Sequence, residues 1–392
     1  MILNLSFPII LIFGFLIFYC IFTIALLLIW LRQPVAKLTE NFKSNTTFSI
    51  IIPIRNEAEN ISKLLQDIDN QTYPKHLYEV IIADDASTDN SVSIIEDFKK
   101  EAKCKITVLK LSDIDQNTSP KKRAITQAIE LANGELITTT DGDCRVAANW
   151  LRSLAQFYAQ KQSVLISGGV SFFDKIEEND SFLVSIWNKI QIIEFASLVG
   201  SAASSMFVQQ PNMCSGANLT YKKSVFYEVN GFAGNENLAS GDDEFLMHKI
   251  AKKYPSGAHF IKNAAAIVET QAHISLKSFY FQRKRWASKW KHYTAWQPTL
   301  LAIFIFMSNL SFLLLPIFFF LQILDSELFI IGFCLKTIAE FILLSVFCEF
   351  LNKKKVIPLI PLVQLIYPFY VVFFGLVVQG KTEYFWKERK LK

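Results

Sequence analysis

Hydrophobic positions are distributed unevenly along this chain of 392 residues. Long apolar blocks run from Leu5 to Leu31, Leu300 to Leu324, Phe329 to Leu351 and Val356 to Val378. About 20 apolar residues suffice for a helix to cross a bilayer, so each block predicts a candidate transmembrane helix. The intervening sequence, from Arg32 to Pro298, has the mixed pattern of an ordinary soluble domain.

The first block is interpreted as an uncleaved anchor over residues 1–32. A cleaved signal peptide has a basic start, a short apolar core and a small-residue cleavage site. Here no Lys or Arg precedes the long apolar block, and Ile29-Trp30-Leu31-Arg32 offers no small-residue site. The pattern therefore favours an anchor over a secretory leader.

The last block leaves two structures open, because it contains Pro358, Pro361 and Pro368. A full span would place the basic tail, residues 380–392, on the outer side, against the usual charge bias. A re-entrant hairpin would keep that tail inside, but such backbone must be buried in protein. The length of the block favours a span, so residues 298–379 are expected to hold two to three transmembrane helices.

Basic residues flank both ends of the soluble region. They are Arg32, Lys37 and Lys43 on one side, and Arg283, Lys284, Arg285, Lys289 and Lys291 on the other. This bias predicts an integral inner or plasma membrane protein with its soluble domain in the cytoplasm. The net charge of +5 suits anionic lipid headgroups better than nucleic acid, which is not expected as a partner. The six scattered cysteines indicate neither a disulfide framework nor a zinc site.

Within the soluble region, strand and helix patterns alternate. Strands are predicted at Phe48–Pro53, Tyr78–Ala83, Lys105–Leu111 and Glu135–Thr140, and helices at Glu57–Asn70, Asp89–Lys103 and Pro120–Ala132, the last capped by Ser119. Alternation of this kind predicts an α/β fold with a parallel sheet. Ligands bind such sheets beyond the carboxyl ends of the strands, which directs attention to residues 53–57, 83–89 and 141–145.

Acidic clusters lie at two of these strand ends. Asp84-Asp85 could accept hydrogen bonds from a base or ribose, or could simply belong to an acidic turn in which Ser87 or Asp89 caps the next helix. Asp141-Gly142-Asp143 could hold Mg²⁺ or Mn²⁺ against a diphosphate, or could be a polar loop. Its position after a hydrophobic strand favours the metal site.

Three further features are candidates for chemistry. The run Lys121-Lys122-Arg123 opens a helix and suits an anionic diphosphate, although a solvated basic patch is an equal alternative. Asp242-Asp243, in Gly241 to Leu246, could supply a base or could compensate a helix dipole. On a helix predicted from Ser278 to Trp296, the side chains of Gln282, Arg285 and Trp286 share one face. That helix could serve the reaction, lie at the bilayer surface, or do both.

In order along the chain, these pieces resemble a family-2 glycosyltransferase with the GT-A fold. They are Ile52 to Glu57, Asp84-Asp85, Asp141-Gly142-Asp143, Gly216-Ala217-Asn218, Gly241-Asp242-Asp243, and Gln282 to Trp286. The resemblance covers roughly Thr47 to Trp290. It implies a Rossmann-like catalytic domain over residues 45–273 and an amphipathic interfacial helix over 274–297. The segment Ser181 to Val208, which is mostly apolar with some polar positions, would suit a second interfacial helix or a core helix.

The resemblance also implies roles for individual residues. Pro53, Arg55 and Glu57 would line the nucleotide pocket, Asp85 would bind the base with Asp84 nearby, and Lys122 would approach the diphosphate. Asp141 would bind donor and metal together with Asp143. Asp243 would be the general base; since the family usually has Glu-Asp where this chain has Asp242-Asp243, the choice between the two stays open. Gln282, Arg285 and Trp286 form the Gln-x-x-Arg-Trp motif found in processive synthases.

The predicted function is an inverting transfer of a sugar from a nucleotide-diphosphate sugar, with a UDP sugar as the expected donor. The acceptor would be a saccharide or lipid-linked molecule at the membrane, with Mg²⁺ or Mn²⁺ as cofactor and with export or oligomeric partners. The alternative is an inactive nucleotide-sugar-binding subunit of an export complex. A membrane transporter is disfavoured because the apolar blocks are few and because the Lys and Glu residues within them form no evident relay.

Overall fold

The computed structural model describes residues 7–39, 42–111, 118–174, 181–238, 240–287 and 296–377, and the backbone of residues 384–386 and 389–391. Contacts divide the chain into two compact units, which are described separately. The helical unit comprises Met1–Arg32, Ile176–Leu198 and His273–Thr382; the sheet unit comprises Gln33–Lys175, Val199–Ala272 and Glu383–Lys392.

The sheet unit is built on strands that are short and mostly buried. They are β1 Phe48–Ile54, β2 Tyr78–Asp84, β3 Lys105–Lys110, β4 Leu136–Thr139, β5 Arg145–Val146, β6 Leu165–Gly168, β7 Val170–Phe172, β8 Leu219–Lys222, β9 Ala258–Ile261, β10 Val268–Thr270, β11 Tyr384–Trp386 and β12 Arg389–Leu391. Seven strands form the main sheet in the order β3-β2-β1-β4-β8-β6-β9. A smaller sheet has the order β5-β10-β7, and β11 pairs with β12.

The parallel pairing predicted for the first four strands is confirmed, and β6 and β9 also pair in parallel, but the strand β8 between β4 and β6 runs the other way. β1 pairs in parallel with β2 and β4, whereas β8 runs antiparallel to both β4 and β6. The difference arises because a turn at Gly216–Asn218 leads directly into β8. Since Thr139 pairs with Leu219, the start of β8 lies where β4 ends. The reversal therefore brings the Gly216–Asn218 turn to the edge predicted to bind ligand.

The helices of the sheet unit are α2 Ile61–Asp69, α3 Ser91–Lys99, α4 Pro120–Leu131, α5 Trp150–Lys161, α7 Lys223–Glu228 and α8 Glu244–Lys253. They include the three predicted ones, α2 to α4, with shifted ends. α2 begins four residues later than expected because the backbone amides of Glu57 and Ala58 bind side chains of Ser91 and Asp89 instead. Ser119 occupies the N-cap position of α4, but its hydroxyl makes no capping hydrogen bond, so that detail of the prediction is wrong.

The helical unit contains the apolar blocks. Its helices are α1 Phe7–Arg32, α9 Leu276–Ala287, α10 Trp296–Phe320, α11 Ser326–Phe350 and α12 Ile360–Val377; α6, Phe182–Phe207, begins in this unit and ends in the sheet unit. A 3₁₀ turn, Lys354–Leu359, precedes α12. The segment from Lys354 to Val377 is thus helical throughout and is long and apolar enough to cross a membrane, while the choice between a span and a hairpin stays a prediction. The predicted helix 278–296 is described to Ala287; residues 288–295 lie outside the described residues.

Among the described residues, five helices are long and apolar enough to cross a membrane. Four correspond to the predicted blocks, and the fifth is α6, which was expected to be interfacial or part of a core. In the helical unit, a polar cluster links α1, α11 and α12. Lys336 Nζ lies 2.7 Å from Glu340 Oε1, which also accepts a hydrogen bond from Tyr19 Oη, and Gln364 Nε2 donates to Thr337 O. The buried Lys336 and Glu340 of α11 therefore pair with each other.

Candidate active site at the carboxyl edge of the sheet

Three predicted segments meet at one edge of the sheet because the strands before them run in parallel. Ile54 at the end of β1 pairs with Asp84 at the end of β2. Ile51 pairs with Thr139, the last residue of β4. The loops that follow β1, β2 and β4 are therefore neighbours, as expected for a ligand site in an α/β sheet.

Pro53 lies in β1, a central strand, where a proline is normally disfavoured because it cannot donate a hydrogen bond. Its position explains why it is tolerated. The carbonyl of Ile51 accepts from Thr140, the residue directly after β4, so Pro53, two residues further on, faces the space beyond the end of β4. No ladder bond is lost there, and β1 can extend past its neighbour to present Arg55.

Arg55 fastens the loop after β1 to the loop after β2. Its Nη1 donates to the carbonyl oxygens of Asp85 (2.6 Å) and Ala86 (2.9 Å). Asn56 adds a second connection, since its Oδ1 accepts from Thr88 N at 2.8 Å. Both Asn56 and Ala86 have φ of 53°, the left-handed region that side chains rarely adopt. Such strained backbone concentrates at ligand sites, and here it occurs in both loops.

The two carboxylates after β2 have different surroundings. Asp84 is buried and accepts from Ser87 N through both oxygens, at 3.2 and 3.4 Å, which shapes the turn. Asp85 is also buried, and its Oδ1 lies 2.9 Å from Nη2 of Arg123 on α4. Asp84 is thus a loop-forming residue, whereas Asp85 is a charged group held in one orientation. The capping alternative falls to Asp89, whose Oδ1 accepts from Ser91 N.

Lys121 joins two of the acidic clusters. Its Nζ lies 2.7 Å from Oδ1 of Asp141 and 3.4 Å from Oδ2 of Asp242. Burial opposes the charged form, but attraction to Asp141 and Asp242 outweighs it and raises the pKa of Lys121. The structure therefore places a permanently charged ammonium between the Asp-Gly-Asp turn and the third acidic cluster.

Lys122, the lysine predicted to approach the diphosphate, has different contacts. Its buried Nζ donates to the carbonyl oxygen of Asn235 (2.6 Å) and to Oδ1 of the same residue (3.0 Å), and lies over the ring of Phe245. Lys121, which sequence analysis named only as part of the basic run, is the residue that contacts Asp141. Helical periodicity could not separate the two neighbours because Ile125 lies about one turn from both.

Asp243 is held by backbone amides at the start of α8. Its Oδ2 accepts from Gly216 N at 3.0 Å and its Oδ1 from Glu244 N at 2.7 Å. Gly216 is in turn tied to the end of β4, because Thr139 Oγ1 donates to its carbonyl at 2.7 Å. The antiparallel strand β8 therefore serves to place Asp243 beside the Asp-Gly-Asp turn.

Glycines permit the close approach of these loops. A Cβ at Gly216 would lie 3.1 Å from Oδ2 of Asp242, and one at Gly142 would lie 2.9 Å from Cγ of Glu57. Gly241 has φ of +82°, and a Cβ there would meet the ring of Phe245 at 2.5 Å. Glu57 also accepts from Asn60 Nδ2, so its buried carboxylate packs behind the Asp-Gly-Asp turn.

Asp141 and Asp143 are two hard oxygen donors on one tight turn, a donor set that fits Mg²⁺ or Mn²⁺. Within the described ranges, no group of three or more His, Cys, Asp or Glu side chains is placed to hold a metal ion. The pair therefore suits a cation that keeps waters and substrate phosphates in its shell. Burial, together with the charges of Asp143 and Asp141, raises the pKa of the adjacent Cys144 thiol.

Gln282, Arg285 and Trp286 all lie on α9, in the helical unit. Within that unit Gln282 Oε1 accepts a hydrogen bond from Arg283 Nη1, and the Trp286 ring lies 6.0 Å from that of Phe195 on α6. Sequence analysis treated Arg283 only as a basic flanking residue. The structure shows it buried among the motif residues.

Known proteins resemble this chain in sequence and in fold. Residues 49–228 match the model of a family described as Glycosyl transferase family 2. The chain is 34% identical over 200 residues to glycosyltransferase AglE of Haloferax volcanii, covering 50% of this chain and 58% of that protein. It is 30% identical over 186 residues to the poly-β-1,6-N-acetyl-D-glucosamine synthase of Staphylococcus epidermidis, covering 46% and 40%. A β-monoglucosyldiacylglycerol synthase of Nostoc sp. is 35% identical over 114 residues, covering 29% and 24%.

The matches span 58% or less of the lengths of these relatives. Among solved structures, a mannosyltransferase from Pyrobaculum calidifontis in complex with GDP-Man and Mn²⁺ is similar with a TM-score of 0.56. It is 16% identical, and the similarity covers 91% of this chain and 96% of that one. A likeness at this identity is one of fold, and it confirms the predicted GT-A fold.

Proposed function

We propose that this chain, whose residues 49–228 belong to glycosyl transferase family 2, transfers a sugar from a nucleotide-diphosphate sugar to an acceptor at a membrane. The observation that carries the proposal is the contact of Lys121 with Asp141 and Asp242, beside the amide-held Asp243. A cation, two metal-ligand carboxylates and a candidate base meet at one strand edge. This is the set of groups that transfer to an acceptor hydroxyl requires.

The loops after β1 and β2 would bind the nucleoside. Asp85 would accept a hydrogen bond from the base, and Arg123 would keep its carboxylate in place, since the two lie 2.9 Å apart. Arg55 braces the same loop through two carbonyl oxygens. Pro53 and Glu57 would complete the pocket, with Asp84 shaping the turn. A pocket built from fixed, strained loops needs little reorganisation when the donor binds.

The diphosphate would lie against Lys121, Asp141 and Asp143. Asp141 and Asp143 would hold Mg²⁺ or Mn²⁺, which when bound neutralises charge on the leaving diphosphate. The Pyrobaculum neighbour was solved with Mn²⁺, which supports a divalent cofactor. Lys121 adds a second positive charge from the protein itself. Because its ammonium contacts both acidic clusters, it would exchange a carboxylate for a phosphate oxygen as the donor enters.

Transfer would proceed as an inverting displacement. The acceptor hydroxyl oxygen forms a bond to the anomeric carbon, the bond from that carbon to the diphosphate breaks, and the hydroxyl proton passes to a carboxylate. We assign that carboxylate to Asp243, whose two oxygens are oriented by Gly216 and Glu244 amides. Asp242 is the second candidate, but its contact with the Lys121 ammonium favours a role in charge balance.

The acceptor would be a saccharide or lipid-linked molecule. Relatives named as a polysaccharide synthase and a diacylglycerol glycolipid synthase support both classes. Gln282, Arg285 and Trp286 on α9 would bind the acceptor, with a sugar stacked on the indole. The basic flanks of the apolar helices support a cytoplasmic sheet unit, with the bilayer as a constant partner. If the product is long, its synthesis would require export or oligomeric partners.

The proposal is tested with the purified full chain in nanodiscs, incubated with Mn²⁺ or Mg²⁺ and a panel of UDP-, GDP- and dTDP-sugars. Sizing of labelled products is expected to show incorporation from one donor. Binding of a donor without any transfer, in the presence of a panel of lipid and saccharide acceptors, would instead favour a nucleotide-sugar-binding subunit. A reporter fused after Val377 and another within the sheet unit would test the orientation.

A further inference from the structure

A buried ion pair joins α6 to α9 within the helical unit. Arg283 is 2% exposed, and its guanidinium makes two contacts with Glu194, Nε to Oε1 at 3.0 Å and Nη2 to Oε2 at 2.5 Å. Tyr370 Oη on α12 donates to the same Oε1 at 3.2 Å. A fork-to-fork pair of this kind fixes both the position and the plane of the guanidinium.

The guanidinium so fixed contacts two residues of the Gln-x-x-Arg-Trp motif. Its Nη1 donates to Oε1 of Gln282, and its central carbon lies 4.3 Å from the centre of the Trp286 ring. Phe279 packs against the guanidinium as well, at 4.5 Å. Arg283 therefore orients the amide of Gln282 and covers one side of the indole.

A single face of α6 supplies this support. Trp187, Gln191 and Glu194 are spaced i, i+4 and i+7. Trp187 Nε1 donates to the carbonyl of His273 at 2.8 Å, and Gln191 binds the same residue through its amide nitrogen (2.9 Å) and oxygen (3.0 Å). His273 lies just before α9, so α6 holds both the entry to α9 and its motif.

We propose that Glu194 is a positioning residue for sugar transfer: paired with Arg283, it holds Gln282 and Trp286 in the arrangement that receives the acceptor. The pair is called the α6–α9 latch. The inference rests on the proposed function, and extends it to a residue outside the family motifs identified in the sequence.

Stability alone is a poor explanation for the latch. A buried ion pair can often be replaced by apolar residues of similar volume with no loss of stability, because desolvation offsets the attraction. The rings of Phe279 and Trp286 that pack against Arg283 would also pack against an apolar side chain. What an apolar pair cannot provide is the hydrogen bond to Gln282 and the planar support under Trp286. These are the contacts that a role in acceptor binding requires.

The decisive variant is the double substitution Glu194→Leu with Arg283→Met in the full chain in nanodiscs. We expect it to fold, to bind donor with a Kd within about threefold of the wild type, and to lose at least tenfold in transfer, with acceptor KM raised. The matched control is Glu340→Leu with Lys336→Met, which removes another buried ion pair of the helical unit that does not contact the motif. That control is expected to keep the wild-type rate.

A double variant that transfers at the wild-type rate would overturn the proposal. So would equal losses in the latch and control variants. If the double variant does not fold, Glu194→Asp and Arg283→Lys provide the same test: each keeps charge but breaks the planar geometry, and should raise acceptor KM without changing donor Kd.

Thiol labelling of a Gln282→Cys variant, read by peptide mass spectrometry, separates failure of the latch from failure of the proposed function. Loss of Glu194 should speed labelling severalfold even if the wild-type chain transfers no sugar. Unchanged labelling would contradict the latch, while the absence of any wild-type transfer would contradict the function.

Discussion

The ammonium of Lys121 lies 2.7 Å from Oδ1 of Asp141, so a cation of the protein itself already pairs with the first carboxylate of the Asp-Gly-Asp turn. Burial alone would lower the pKa of Lys121, but the charges of Asp141, Asp242 and Asp243 raise it above its ordinary value. Lys121 therefore stays charged across the pH range in which enzymes work. The donor site thus carries a fixed positive charge in addition to any metal.

This relationship predicts that Lys121→Met and Lys122→Met act differently. Loss of Lys121 removes a charge that stabilises the leaving diphosphate, and transfer should fall about 10²-fold or more. Lys122→Met removes two hydrogen bonds to Asn235, so it should lower the melting temperature but leave transfer by the folded protein largely intact. Transfer rates and thermal unfolding of both variants check this. The opposite pattern would return the donor-binding role to Lys122.

A metal dependence follows from the two carboxylates of the turn. Chelation with EDTA should abolish transfer, and Mn²⁺ or Mg²⁺ should restore it. Asp143→Asn should raise the metal concentration needed for half-maximal activity by at least the ~10–100-fold seen for changes outside the metal's direct ligands. Asp97→Asn is the matched control, since this exposed carboxylate only pairs with Lys100 on the surface. Full activity after exhaustive chelation would show that the metal is dispensable.

A carboxylate far from the chemistry should make stability depend on pH. Glu79 accepts hydrogen bonds from Ser49, Asn133 and Lys105; burial opposes ionisation, but these bonds outweigh it and lower the pKa of Glu79 below its ordinary 4.5. A lowered folded-state pKa means that the stabilisation is present above the unfolded value and is lost as pH falls through the folded one. Glu79→Gln should therefore cost about 1–3 kcal/mol at neutral pH.

That cost should shrink as pH falls below the ordinary value of 4.5 and through the lowered pKa of Glu79, where the wild-type carboxylate becomes protonated. Unfolding of the two proteins in detergent at neutral and acid pH gives the comparison. A Glu79→Gln deficit that is the same at both values would mean that the side chain contributes by shape and not by charge.

The strand ends were predictable because buried β-branched runs such as Phe48–Pro53 leave little choice of structure, and parallel strands must end together. Asp84, Asp85, Asp141 and Asp143 followed from that rule. The antiparallel course of β8 did not, because a four-residue strand has no pattern that reveals its direction. Sequence could not show whether Lys121 or Lys122 contacts Asp141, because that depends on how α4 is rotated about its own axis.

Glu194 illustrates a different limit. It stands in a largely apolar helix, where a carboxylate is unusual and so attracts attention, but its partner Arg283 is 89 residues away along the chain. Spacing within one helix indicates which side chains share a face, not which helix they meet. Sequence analysis accordingly selected the face of α9 that carries Gln282, Arg285 and Trp286. It missed Arg283, the buried cation next to Gln282.

The central claim is that Asp243 takes the acceptor proton in a sugar transfer at this strand edge. Its most direct test measures single-turnover transfer and donor Kd on the same preparations of wild type, Asp243→Asn and Asp242→Asn. The account predicts that Asp243→Asn binds donor normally but transfers about 10²–10⁴-fold more slowly, with a smaller loss for Asp242→Asn. Full transfer by Asp243→Asn would contradict it.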